Sequence, residues 1–417
     1  MAIWRPYTPH YPDMPQAIPI RRAQGAYIYT TDGRALWDAT CAWWVCVHGH
    51  CHPYIAQAIA QQAHQLDHVL FADFTHEPAE KLADRLSRLT GLSWVFFSDD
   101  GSTAVEVALK IAIQYFHNKG EKRHRILALE GAYHGDTFGA MSASARSLFT
   151  QPFTELLFEV EWLPFPEPFD EAVWAPRLAA LAARRDIAAF IAEPLLQGVA
   201  GMRTYTPQAW DAIVRAVRAA GALVIADEVF TGFGRTGRLL ATDHCTEKPD
   251  LLCLSKGLTG GFLPLGVTLV REEVFQVFFT PAVEKALYHG HSYTGNPIAC
   301  AAALANLELW EKPETWARLA LLEEAQRALA QSWQSRYPSI PVRHLGIVLA
   351  IELPAAVKGY FAPHRVALKR YGLERGVFFR PLGQVAYILP VLASTPEELA
   401  YAVSVIENYL AEGAASI

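Results

Sequence analysis

Two kinds of apolar spacing alternate along the chain. Short, nearly uninterrupted apolar runs recur at 94–98, 126–129, 188–192, 223–226, 251–254 and 265–270, bounded by Gly, Pro or acidic residues as buried strands are. Between them apolar residues return every three or four positions, at 54–72, at 76–90, and from Val105 through Leu109 and Ala112 to Phe116, which is helical spacing. Glu77-Pro78 marks a helix start. Strands alternating with helices predict an α/β fold with a mostly parallel sheet, whose carboxyl edge is the place for a ligand.

The ends of the chain read differently. Residues 1–20 are rich in proline and predict an extended segment lying over another surface. Asp32-Gly33 between alternating or aromatic flanks predicts a hairpin. The prolines and aromatics of 151–168 predict a long loop over the site. From Pro297 onward the pattern becomes helix, strand at 342–353, helix at 364–376, a strand ending at Arg380-Pro381, a strand at 386–391 and a last helix started by Thr395-Pro396-Glu397. The expected division is a large domain at 51–296, a small αβ domain at 297–417, and an N-terminal segment 1–50 joining the small one.

With 417 residues, 52% of them hydrophobic and 19% charged, the chain can bury a large core. A formal net charge of −6 gives no cationic field for nucleic acid or an anionic membrane, which leaves small molecules or a second copy as partners. No run approaches the ~18 apolar residues of a membrane helix, and the start lacks an apolar signal core, so a cytoplasmic location is expected. The six cysteines (41, 46, 51, 245, 253 and 300) show no CxxC pair and are expected as thiols.

Candidate chemistry sits at two strand ends. The run 223–226 stops at Asp227 and Glu228, and about thirty residues on the run 251–254 delivers Ser255 and Lys256, followed by Gly257, Gly260 and Gly261. An amine that can form a Schiff base, facing a carboxylate that can hold a pyridine nitrogen protonated, suits pyridoxal phosphate. Taken singly, Asp227 is better read as a loop cap and Lys256 as a solvated strand-end lysine. Upstream, the strand 94–98, the turn Asp100-Gly101-Ser102 and the helix after it make an anion site, although Asp100 and Ser102 also fit simple capping. Glu193 ends another strand and fits a structural ion pair or a site role equally. His48, His50, His52, Cys46 and Cys51 offer zinc donors, but a second downstream pair is missing and no metal is expected. A zinc- or nucleotide-binding regulator built on these histidines and Gly-rich loops is the contrasting reading.

The whole string decides between these. ADEVFTGFGRTG at 226–237, LSKG at 254–257 and LPLG at 263–266 resemble the signature of class III pyridoxal-phosphate aminotransferases. That resemblance implies the fold-type I architecture, Lys256 as the imine lysine and Asp227 as the ring-nitrogen partner. It implies phosphate contacts at Asp100, Gly101 and Ser102; relatives often have Ser where Asp100 stands, and because its charge would repel a phosphate Asp100 is expected to give backbone only. In the turn at 131–137 it implies Tyr133 stacking on the ring within the catalytic set, and Asp136 on the polar rim. In the turn at 288–297 it implies Ser292, beside His291, on the phosphate of a neighbouring subunit, with Gly290 at the substrate, hence a homodimer with shared sites. Paired tryptophans such as Trp43-Trp44 mark the members of the class that act on 8-amino-7-oxononanoate in biotin synthesis. There Trp43, Trp44, Tyr7 and Tyr387 would line an apolar path and Arg380 would take a carboxylate, although alone Arg380 is an ordinary ion-pair candidate. The expected amino donor is S-adenosylmethionine, with lysine as the alternative because His291 stands where such enzymes often have Pro. An ω-amino acid:pyruvate aminotransferase shares the cofactor residues but not the paired tryptophans.

Overall fold

The structure, a computed structural model, describes residues 3–11, 14 and 16–412. At its centre is a seven-stranded sheet in the order Trp94–Ser98, Gly266–Val270, Leu251–Leu254, Leu223–Asp227, Ile187–Ala192, Arg125–Leu129, Val160–Leu163. Gly266–Val270 runs against both its neighbours, and the remaining pairings are parallel. The sheet is buried on both faces, which is why its strands are continuous apolar runs rather than alternating ones. Val224, Ala226, Leu252 and Leu254 enter one core, and Leu223, Ile225, Leu251 and Cys253 enter the other. Helix Gly101–Asn118 closes the second core with Val105, Val107 and Leu109, while Pro207–Ala219 brings Trp210 and Ile213 to the first.

Two smaller sheets flank this one. Ile20–Gln24, Tyr27–Thr30 and Ala35–Asp38 form an antiparallel meander, and Val377–Phe378 adds a parallel strand beside Ala35–Asp38. The chain's two ends therefore share one sheet. Val342–Leu345, Val348–Glu352 and Val385–Ile388 form an antiparallel sheet against the helices Pro313–Arg336 and Pro396–Ala411. Thr395 and Glu398 complete a reciprocal cap at the start of the last helix.

Several expectations about elements change. The helix expected over 54–72 spans Pro53–Gln65, because Leu66 turns extended and the following loop carries Phe71 onto Phe97 and His76. The expected loop 151–168 contains a helical turn, Gln151–Leu156, and the edge strand Val160–Leu163, which pairs with Arg125–Leu129. The single strand expected over 342–353 is a hairpin. It turns at Gly346, where φ is +58° and a Cβ would lie 2.3 Å from the Thr236 carbonyl carbon, so only glycine fits. The helix expected over 364–376 ends at Glu374, the strand expected to end at Arg380-Pro381 stops at Phe378, and the strand expected over 386–391 is Val385–Ile388.

Candidate active site

Parallel pairing of Leu223–Asp227 with Leu251–Leu254 sets Asp227 beside Cys253, so Asp227 and the Ser255-Lys256 step emerge at the same sheet edge. Asp227 is 3% exposed. Its Oδ1 accepts the Val229 N–H at 3.1 Å, and its Oδ2 accepts from Nδ1 of the buried His134 at 2.6 Å. Since a carboxylate only accepts, that histidine nitrogen carries the hydrogen. Lys256 lies at φ 48° with its amine 4.7 Å from the Trp44 ring centre. Burial pushes its pKa down to about 8, and Asp227 and Glu193 pull in the opposite direction. Both groups line a cavity of about 690 Å³ together with Gly101, Ser102, Tyr133 and Asp136.

One end of this cavity is an anion cradle. The N–H groups of Gly101 and Ser102 open the helix Gly101–Asn118, where they have no partner within the helix and stand at its positive pole. A Cβ at 101 would lie 2.5 Å from Val229, which makes glycine necessary. The Asp100 carboxylate accepts the Thr103 N–H while Thr103 Oγ1 accepts the Asp100 N–H, so the acid is occupied by the cap. Ser102 Oγ stands 2.8 Å from Thr137 Oγ1 and accepts the Thr137 N–H at 3.1 Å.

The turn after strand Arg125–Leu129 supplies one side wall. Glu193 anchors it, accepting the N–H groups of Tyr133 at 3.2 Å and Gly198 at 2.9 Å. Burial raises the Glu193 carboxyl to about 7, with His134 opposing and Asp227 reinforcing. Glu193 makes no ion pair with Lys or Arg among the described residues. The Tyr7 hydroxyl donates to Asp136 and also meets Tyr133, forming a three-member polar cluster. Burial and the Asp136 contact push Tyr7 up to about 12.

The opposite wall is made by irregular chain. Cys41, Ala42, Trp43 and Trp44 have φ of 54°, 49°, 60° and 75°, a left-handed turn of four L-residues, a conformation that costs roughly 1–2 kcal/mol for each. Trp44 packs at 4.6 Å on Phe230 and donates from Nε1 to the Tyr387 hydroxyl at 3.0 Å. Trp43 has Tyr7 at 5.8 Å and the Arg380 guanidinium 4.1 Å over its ring. Arg380 makes no ion pair among the described residues. These aromatics and Arg380 enclose a second cavity of about 630 Å³, which meets the first at Lys256 and Tyr133.

Three expected residues stay outside. Gly290, His291 and Ser292 line neither cavity. His291 Nδ1 is 3.6 Å from Asp99, and the Ser292 carbonyl accepts from His68 at 2.5 Å. The histidine cluster does not converge on one point: His48 bonds Asn306 at 3.0 Å, is held by burial at about 3 and has the His52 ring at 5.8 Å, while His50 bonds Asp38 and has Cys46 Sγ 3.7 Å from its Nδ1. Among the described residues no group of three or more His, Cys, Asp or Glu is arranged to hold a metal ion. No sequence pattern assigns a role to His134 behind Asp227 or to Arg235. His134 was visible as part of the Tyr133 turn, but nothing in that string says it reaches a carboxylate 93 positions away.

The Aminotransferase class-III family model matches residues 8–410. The chain belongs to the class III aminotransferases. Among its class III relatives, the adenosylmethionine-8-amino-7-oxononanoate aminotransferase of Synechococcus elongatus is 48% identical, covering 98% of each chain. The protein of the same name from Helicobacter pylori is 36% identical over 95% of this chain and 92% of its own. A solved class III structure, that of the adenosylmethionine-8-amino-7-oxononanoate aminotransferase from Methanocaldococcus jannaschii, superposes with a TM-score of 0.90 at 33% identity, covering 99% and 97% of the chains. An amine transaminase from an uncultivated Pseudomonas species, solved in its PLP-bound form, superposes at 0.91 and 31% identity over 99% of both. Among the described residues no helix is long and apolar enough to cross a membrane.

Proposed function

We propose that this class III aminotransferase uses pyridoxal phosphate to transfer an amino group to the 7-keto carbon of 8-amino-7-oxononanoate, giving 7,8-diaminononanoate for biotin synthesis. The observation that carries this reading is one continuous space: the Lys256 amine and Asp227 carboxylate face a cavity that runs on between Trp43, Trp44 and Tyr387 to Arg380. The buried carboxylate with its histidine backing, the helix start at Gly101 and a lysine with a lowered pKa fit the charges of the cofactor. When bound there, pyridoxal phosphate supplies an aldehyde for the amine and a ring that stores an electron pair.

The chain's own groups do the rest. Gly101 and Ser102 would hold the phosphate by N–H and hydroxyl, Tyr133 would cover one ring face, and Asp227 would keep the ring nitrogen protonated with His134 holding the carboxylate in place. Lys256 Nζ takes the proton from the donor carbon and returns one at the carbon that receives nitrogen, a transfer its lowered pKa suits near neutral pH. Trp43, Trp44, Tyr7 and Tyr387 exclude water along the methylene chain, with Asp136 on the polar rim. Arg380 gives the carboxylate two parallel charge-assisted hydrogen bonds. Gly290, His291 and Ser292 act from a second copy, which makes the enzyme a homodimer. It works in the cytoplasm.

The proposed donor is S-adenosylmethionine, whose sulfonium suits the aromatic wall. Lysine is the second reading, and His291 before Ser292 favours it. Purified enzyme is incubated with 8-amino-7-oxononanoate and each donor separately, and the diamine is measured by mass. Diamine formed with S-adenosylmethionine supports the reading. Diamine with lysine alone corrects the donor, and none with either overturns the assignment.

A further inference from the structure

Asp38 ends the strand Ala35–Asp38 and is 1% exposed, yet no arginine or lysine pairs with it among the described residues. Its Oδ1 accepts the N–H and the hydroxyl of Thr40 at 2.9 and 2.7 Å. Its Oδ2 accepts the Ala42 N–H at 2.6 Å and stands 3.0 Å from His50 Nε2, which must carry the hydrogen. One carboxylate therefore collects the donors at the start of the left-handed turn Cys41–Trp44. The buried Arg235 spans the turn, donating to the Trp44 carbonyl at its far end at 2.9 Å and towards Cys41 Sγ at its start at 3.2 Å.

Four successive L-residues keep positive φ only where their surroundings over-determine it. If the Ala42 N–H lost its anionic partner, the turn would relax towards allowed φ, carrying Trp43 away from Arg380 and Trp44 away from Tyr387. We infer that Asp38, braced by His50, is a positioning residue for substrate selection. It fixes the left-handed turn and thereby the aromatic channel that receives the methylene chain, while touching neither substrate nor cofactor. This rests on the functional reading above.

The test compares Asp38→Asn with Asp38→Asn/Ala42→Gly in the holoenzyme. In Asp38→Asn, KM for 8-amino-7-oxononanoate should rise about tenfold or more while kcat falls less than about threefold, the signature of lost uniform binding. The visible absorption of the bound cofactor should be unchanged. Ala42→Gly, which makes positive φ free of steric cost, should recover most of the lost KM in the Asp38→Asn background. A KM within twofold of wild type in folded Asp38→Asn, a fall in kcat alone, or no recovery by the glycine would overturn the inference. If Asp38→Asn does not fold, Thr40→Ala removes a donor to the same carboxylate. A KM raised about threefold there supports the inference, and an unchanged one overturns it. Wild-type turnover is measured first: its absence would overturn the functional reading, whereas its presence with unchanged variant KM overturns this inference alone.

Discussion

The floor and the wall of the site are built on opposite principles. The floor, Asp227 and Lys256, stands at the ends of two neighbouring parallel strands whose residues are wholly buried. The wall is assembled from a left-handed turn near residue 42, Arg380 in the irregular chain just after strand Val377–Phe378, and Tyr387 in the small C-terminal sheet. The floor's geometry follows from hydrogen-bonded regularity, and the wall's from side-chain contacts between segments more than three hundred residues apart. A rigid floor is suited to chemistry common to the class, and a wall of separate pieces is suited to selecting one substrate.

Substitutions on each side should separate the two roles. Lys256→Ala removes the group proposed to bind the cofactor and move the proton, so turnover should fall about 10⁴-fold or more, the upper range for general acid–base catalysis. A variant retaining a tenth of the wild-type rate would break the assignment of chemistry to the floor. Asp227→Asn keeps the shape but loses the charge, and should lower kcat about 10²-fold or more with the cofactor still bound. Near-normal turnover would remove Asp227 from its role. On the wall, Arg380→Ala should raise KM for the keto acid by about 10- to 150-fold, the equivalent of roughly 1.5–3 kcal/mol for a hydrogen bond to a charged group. An unaltered KM would place the carboxylate elsewhere.

The smallest effect is one of pH. Lysine reacts as the neutral amine, and burial lowers Lys256 to about 8. The rate at which cofactor-free enzyme recaptures pyridoxal phosphate should therefore climb as pH rises towards about 8 and level off above it, as followed by visible absorption. A climb continuing to the ordinary lysine range would show that the floor does not desolvate the amine.

Legibility followed the same division. Apolar runs ending in Asp227 and Lys256 could be read directly, because a buried parallel strand leaves a continuous signal and its carboxyl edge is a known binding place. The edge strand Val160–Leu163 was hidden among prolines and aromatics, and the hairpin at 342–353 looked like one strand because its two-residue turn, Gly346-Ile347, lies in an apolar stretch. Trp43-Trp44 was recognisable as a resemblance. Its left-handed backbone was not, since it depends on Asp38, Tyr387 and Arg235, which no local pattern connects to it. The pairing of His134 with Asp227 was invisible for the same reason.

Trp43→Ala offers the most direct test of this division of labour. The substitution leaves Lys256, Asp227 and the phosphate cradle in place and opens the channel beside Arg380. Stopped-flow single turnovers of enzyme first aminated by the donor, with increasing 8-amino-7-oxononanoate, give a maximal rate, set by the floor, and a half-saturating concentration, set by the wall. The account predicts that half-saturation rises about tenfold or more, as expected when contacts worth some two methylene groups are lost at ~0.8 kcal/mol each. The maximal rate should stay within about threefold of wild type. A collapsed maximal rate at unchanged half-saturation would contradict it.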